Sequence, residues 1–157
     1  VAQPLKVLFI CHGNICRSPL AEYLCRHIAA QRGVGELIAT ASAGTSAEEI
    51  GNPVYPPVAE LLRQMGIDCA DKRARQINPR DLFRYDLLVV MERFNLVQLR
   101  KAIPNANLNC VRRLLDFTST PGDIDDPWYT RDFKQALEQI QSGCTALLDH
   151  YGLTALR

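Results

Sequence analysis

Two periodicities alternate along the chain. Leu5-Lys6-Val7-Leu8-Phe9-Ile10 is a short, almost wholly apolar run, the pattern of a strand buried on both faces of a parallel sheet. Leu87-Leu88-Val89-Val90-Met91 repeats it, Ile38 to Ala43 reads as another strand, and Asn109 to Arg112 as a last, weaker one. Between these runs the apolar spacing becomes helical. Leu20, Ala21, Leu24 and Ile28 mark one face of a first helix. Ser18-Pro19 opens it, with Ser at the N-cap and Pro at the first helical position, and Gly33 and Gly35 end it. A loop rich in Gly, Ser and Pro runs through Pro57. A helix from about Val58 to Met65 then stops at Gly66. Asn78-Pro79 predicts another helix start, and Leu96 and Leu99 lie on a helix between Glu92 and about Ala102. Phe133, Leu137, Ile140, Cys144, Leu147, Leu148 and Tyr151 form the clearest amphipathic helix.

Strands alternating with helices predict an α/β fold. It is a single three-layer domain over residues 1–157, with a central parallel sheet of about four strands and helices on both faces. In such sheets ligands bind beyond the carboxyl ends of the strands. That directs attention to the turn between the first strand and the first helix, Cys11 to Ser18.

Composition narrows the classes. Eighteen Lys and Arg against seventeen Asp and Glu leave a formal charge of +1 in 157 residues, no basic footprint for a nucleic acid. No apolar run approaches the roughly 20 residues that span a bilayer. Val1-Ala2-Gln3-Pro4 lacks the charged flank and apolar stretch of a signal peptide, so a soluble, cytoplasmic protein is expected. The six cysteines, at 11, 16, 25, 69, 110 and 144, and the three histidines, at 12, 27 and 150, fall at no metal-site spacing.

The turn reads Cys11-His12-Gly13-Asn14-Ile15-Cys16-Arg17-Ser18-Pro19. A tight loop between a strand and a helix turns backbone N–H groups toward one point, and the helix N-terminus adds partial positive charge there. Arg17 supplies a bidentate fork matched to phosphate oxygens. All three favour negative charge, so the Cys11 thiol should ionise readily and act as a nucleophile toward phosphorus. The loop has neither the Gly-Lys-Ser/Thr of a nucleotide P-loop nor a Gly-x-Gly-x-x-Gly, which excludes ATP and dinucleotide binding as readings of it.

Cys11 to Glu22 resembles the signature loop of the low-molecular-weight protein tyrosine phosphatases, in their bacterial form. The resemblance runs on through Ser42-Ala43-Gly44-Thr45-Ser46, Gly51-Asn52-Pro53, Ala74-Arg75-Gln76 and Asp126-Pro127-Trp128-Tyr129. It implies Cys11 as the nucleophile that becomes a phosphocysteine, and Arg17 as the group binding phosphate and transition state. Asn14 would hold the loop, Ser18 would hydrogen-bond the leaving thiolate, and Asp126 would serve as general acid and then base. Gly13, Ile15 and Cys16 complete the substrate loop, and Trp128 and Tyr129 flank the ring. The resemblance further implies a monomer that needs no cofactor or metal and acts on phosphotyrosine-containing proteins, a tyrosine kinase among them.

Read from the residues alone, several of these positions admit alternatives. A phenol with a pKa near 10 leaves poorly without a proton donor. Asp126 suits that task, but Asp125 competes for it, and Asp123, Asp125 and Asp126 also suit loop solubilisers or the cap of the last helix. Trp128, the only tryptophan, fits a pocket wall or a core anchor. Cys16 fits a partner that resolves oxidised Cys11 or a small packing residue. His12 stands where many family members carry an aliphatic residue, and either contacts substrate or points to solvent. Glu48 and Glu49 make the rim acidic. Lys72 and Arg73 stand where relatives often place a histidine supporting the loop asparagine, leaving open how Asn14 is held. Two other functions share some of these features. A thiol-dependent arsenate reductase would need a closely spaced resolving pair, whereas Cys69 and Cys110 lie far apart in sequence; a non-catalytic phosphotyrosine-binding module would dispense with Cys11 or Asp126.

Overall fold

The computed structural model describes residues 3–155; Val1 and Ala2 of the amino-terminal stretch and the last two residues of the 1–157 unit lie outside the described residues. Four parallel strands, β1 (Leu5–Cys11), β2 (Ile38–Gly44), β3 (Leu87–Val90) and β4 (Val111–Arg113), form one sheet in the order β2-β1-β3-β4. The central pair explains the unbroken apolar runs. Val7, Phe9, Leu87 and Val89 face one hydrophobic core, and Leu8, Ile10, Leu88 and Val90 face another on the opposite side.

The first core is roofed by α1 (Arg17–Gln31), α2 (Pro56–Gln64) and α6 (Phe133–His150), through Leu20, Leu24, Val58, Leu62, Ile140 and Leu147. Against the other lies α4 (Phe94–Ala102), through Leu99, beside Ile77 and Ile103. Two single-turn helices, α3 (Asp81–Arg84) and α5 (Pro127–Thr130), complete the set. Among the described residues no helix is long and apolar enough to cross a membrane.

The element boundaries depart from the pattern where tertiary contacts intervene. Cys16, not Ser18, occupies the cap position of α1, and no side chain caps it. Ser18 sits inside the first turn because its hydroxyl is engaged by Cys11 and Asn14. Gly33 alone ends α1, at φ +76°, with its N–H on the carbonyl of Ala30, while Gly35 opens a short 3₁₀ turn. Pro56 and Pro57 form the start of α2, two residues earlier than the apolar spacing indicates. The Asn78-Pro79 start yields only the single turn α3, β4 is shifted to 111–113, and Tyr151 is the C-cap of α6. Asp132, not one of the three upstream aspartates, caps α6 by accepting from Gln135 N–H at 2.9 Å.

Candidate active site

The five residues after β1 wrap around its carboxyl end and run directly into α1. Asn14 takes the left-handed conformation, φ 60°, a region open to Asn at low cost. The end of β2 backs the turn so closely that a Cβ on Gly44 would lie 2.8 Å from the carbonyl oxygen of His12; glycine is therefore required there. The carbonyls of Cys11 and His12 accept from Thr45 and Ser46 N–H at 2.9 and 3.0 Å.

Hydrogen-bond direction in this turn is fixed from the outside inward. Arg75 N–H donates to Asn14 Oδ1 at 3.1 Å, which leaves Asn14 Nδ2 to donate to Ser42 Oγ at 3.0 Å and Ser18 Oγ at 2.8 Å. The Ser42 hydroxyl in turn donates to Glu22 Oε1 at 2.6 Å. Ser18 is left to donate to Cys11 Sγ at 3.0 Å, and the Asn14 N–H reaches the same sulfur at 3.3 Å. Both donors aim at the sulfur. Lys72 supports the far end: its Nζ lies 3.1 Å from the carbonyl of Ser42 and 3.7 Å from Glu22 Oε1. Burial pulls the Lys72 ammonium down from its ordinary value, and Glu22 opposes this. Asn14 is thus held by Ser42, Ser18 and the Arg75 amide, with Lys72 one step removed.

Arg17 is 2% exposed. Its Nη1 donates to Glu92 Oε2 at 2.5 Å and to the carbonyl of Ile124 at 2.7 Å, and its Nη2 lies 3.4 Å from Asp126 Oδ2. Burial works against this charge, but Cys11, Asp126 and Glu92 outweigh it and hold the guanidinium protonated above its ordinary range. Burial and the neighbouring Cys11 push the Cys16 thiol far up, so Cys16 stays protonated.

The chain from Asp123 to Asp126 is brought to this point by two anchors. Asp123 Oδ1 accepts from Arg93 N–H and from Arg113 Nη1, both at 2.9 Å, and Ile124 N–H donates to the carbonyl of Met91 at 3.0 Å. Asp126 Oδ1 accepts from Trp128 N–H at 3.0 Å, capping α5, while Oδ2 is the oxygen turned toward Arg17. One pocket is lined by Cys11, His12, Gly13, Ile15, Cys16 and Arg17 below, and by Glu48, Glu49, Asp126, Trp128 and Tyr129 around its rim. Asp125 lines only a neighbouring groove. Trp128 is 43% exposed and leans on Tyr55, ring centroids 4.8 Å apart, so it is a rim residue and no core anchor.

Of the residues singled out in the sequence, Cys11, His12, Gly13, Ile15, Cys16, Arg17, Glu48, Glu49, Asp126, Trp128 and Tyr129 line this pocket, with Asn14 and Ser18 as its buried support, whereas Asp123, Asp125, Lys72, Arg73, Cys69 and Cys110 are not in its lining. The residues missed are Glu92, Ser42, Glu22, Asn95 and Gln98. Ser42 and Glu22 stood inside the quoted motifs without a role of their own, and Glu92 carried only its place just beyond the carboxyl end of an apolar strand run. Among the described residues no three His, Cys, Asp or Glu side chains gather into a metal-binding group.

Fold and pocket define an α/β protein built on a thiol-and-arginine anion loop. The chain belongs to the low molecular weight phosphotyrosine protein phosphatases, whose family profile matches residues 6–156. Among the relatives, the low molecular weight protein-tyrosine-phosphatase YfkJ of Bacillus subtilis is 39% identical over 146 residues, 92% of this chain and 94% of that one. Its crystal structure superposes with a TM-score of 0.90 at 37% identity, covering 96% of both chains. That of a Drosophila arginine phosphatase superposes with a TM-score of 0.83 at 27% identity, covering 94% of this chain and 98% of that one.

Proposed function

We propose that the protein hydrolyses phosphotyrosine in proteins by two displacements at phosphorus. The Cys11 thiolate attacks, the P–O bond to the phenol breaks, and Asp126 gives its proton to the departing oxygen. Water then attacks the phosphocysteine, Asp126 takes the proton back, and the thiolate leaves, stabilised by the Ser18 hydroxyl and the Asn14 amide. Arg17 and the loop amides bind the phosphoryl oxygens through both steps. One observation carries this reading: a thiol, a buried guanidinium and a carboxylate delivered from over a hundred residues away line a single pocket.

Arsenate reduction is disfavoured because Cys69 packs in the core on one face of the sheet and Cys110 in the core on the other, so they form no resolving pair. A pure binding module would not need Asp126 in the pocket. The substrates would be phosphotyrosine proteins, a tyrosine kinase being one candidate, met by a monomer in the cytoplasm.

Phosphate release from matched phosphotyrosine, phosphoserine and phosphoarginine peptides tests the assignment, with Cys11→Ser as control. Phosphotyrosine should be turned over at least about a hundredfold faster than phosphoserine, and acid quench should trap phosphate on Cys11. Preference for phosphoarginine, in line with the Drosophila neighbour, would replace the substrate and keep the mechanism. Equal turnover by Cys11→Ser would overturn both.

A further inference from the structure

His12 follows the nucleophile, and the hydrogen bonds around it leave its ring one tautomer. Asn95, on the first turn of α4, is buried. Its Oδ1 accepts from two backbone amides, Met91 N–H at 3.0 Å and Glu92 N–H at 3.1 Å, so this side chain cannot be turned over. Asn95 Nδ2 must then donate, and it does so to Gln98 Oε1 at 2.9 Å, which also accepts from Thr45 Oγ1 at 3.2 Å. With its oxygen committed, Gln98 presents Nε2 to His12 Nδ1 at 2.8 Å. A donor facing Nδ1 requires that nitrogen to be bare. The ring proton therefore resides on Nε2, which lies 3.4 Å from Glu48 Oε2 at the rim.

We propose that Asn95 and Gln98 are positioning residues for the substrate pocket: they lock the His12 ring as a neutral Nε2–H donor to Glu48, and the clamped ring and carboxylate form a wall of the slot that receives the phosphotyrosine ring. The proposal rests on the phosphotyrosine reading above. Three features support a wall. The ring is held at both nitrogens, its own carbonyl is tied to Ser46 N–H at 3.0 Å, and His12 and Glu48 share the pocket lining with Trp128 and Tyr129. His12 also borders the neighbouring groove with Phe94, Gln98 and Tyr129, so it divides the two clefts. The clamp touches the aryl group and leaves the phosphate to the loop. Cutting it should weaken aryl recognition without altering the phosphate site.

Two measurements test this. Nitrogen-15 NMR of the imidazole in the intact protein at neutral pH should show His12 protonated at Nε2 and bare at Nδ1. Gln98→Glu keeps the acceptor for Asn95 and Thr45 but removes the donor, and should put protons on both ring nitrogens. In kinetics, Gln98→Leu should raise KM for a phosphotyrosine peptide about fivefold, the value of one hydrogen bond. It should leave kcat and the inhibition constant of inorganic phosphate within about twofold. A merely structural role would move the phosphate constant with KM. An Nδ1–H ring in the parent overturns the clamp. An unchanged KM, or parallel changes in KM and phosphate inhibition, overturns the wall. If the parent leaves phosphotyrosine untouched, the functional reading fails instead, and the tautomer still decides whether the clamp exists.

Discussion

The two halves of the pocket are built differently. The loop from Cys11 to Ser18 is a buried object: Asn14, Arg17 and Ser18 are each at most 2% exposed, and their polar groups are committed to named partners within the fold. The segment from Asp123 to Tyr129 is a surface strap. It is pinned at Asp123 and Ile124, capped at Asp126, and ends in Tyr129 at 77% exposed. The phosphoryl group is held through both proposed displacements, so its cradle gains from being fixed when the chain folds. In the proposed reaction the acid must meet a phenol, lose it and then meet water, so it is carried where solvent and substrate can reach. Rigidity is placed where charge is held, and access where protons are exchanged.

That contrast can be broken at graded strengths. Removing the proposed nucleophile is the most severe change: Cys11→Ser should lower phosphotyrosine turnover by on the order of 10⁴-fold or more, while isothermal titration still detects phosphate in the cradle. Asp126→Asn comes next. In single-turnover experiments it should slow phosphocysteine formation from phosphotyrosine by about 10²–10⁴-fold and from nitrophenyl phosphate far less; Asp125→Asn should show no such selectivity.

Asn14→Ala strikes the cradle through its support. It removes the side chain bridging Ser18, Ser42 and the Arg75 amide from a left-handed position. A loss of about 2–4 kcal/mol in denaturant unfolding is expected from the unsatisfied groups and the strained backbone. A loss within 0.5 kcal/mol, the range of an ordinary surface substitution, would show the network to be incidental. Asp123→Asn, on the strap, should have the smallest effect. Burial raises the Asp123 carboxyl, but the Arg93 amide and Arg113 outweigh it and hold the group below its ordinary range. A depressed carboxylate stabilises the fold fully above the unfolded pKa, near 3.9, and less as the pH falls through its folded value. Thermal melts of parent and variant should therefore differ slightly at neutral pH and converge in strong acid. A constant difference across that range would remove the charge from the explanation.

The same division governs what sequence reading reached. The cradle residues lie within eight positions of one another, and strand, turn and helix start can all be read locally, so Cys11, Asn14, Arg17 and Ser18 could be named together. Ser18 was open to misreading as a cap because a Ser-Pro pair carries a local signal and its real partners, Cys11 and Asn14, are met only when the turn closes. The contacts of the supports could not be read. Ser42 lies 28 residues from Asn14, Gln98 86 from His12 and Glu92 75 from Arg17, and no periodicity encodes a contact at such separations. Asp126 was reached only through the family motif. Its neighbour Asp125 has the same chemistry in sequence, and only the anchors at Asp123 and Ile124 decide which carboxylate turns to Arg17.

The guanidinium of Arg17 meets the two carboxylates of Glu92 and Asp126 before any substrate arrives. At a distance this cluster is no positive beacon, since the Arg17 charge already faces the Glu92 carboxylate, and Glu48 and Glu49 add to the negative side at the rim. An approaching phosphate dianion therefore gains little from long-range attraction. Capture rests on donors that act only at hydrogen-bond distance, the loop amides and the Nη2 edge of Arg17. Ionic strength is the handle on that difference: adding salt screens fields over roughly ten ångströms but leaves short, dry contacts intact. Association of phosphotyrosine peptides with this pocket should thus gain little rate from electrostatic steering and be nearly indifferent to salt, a recognition that inspects shape before charge.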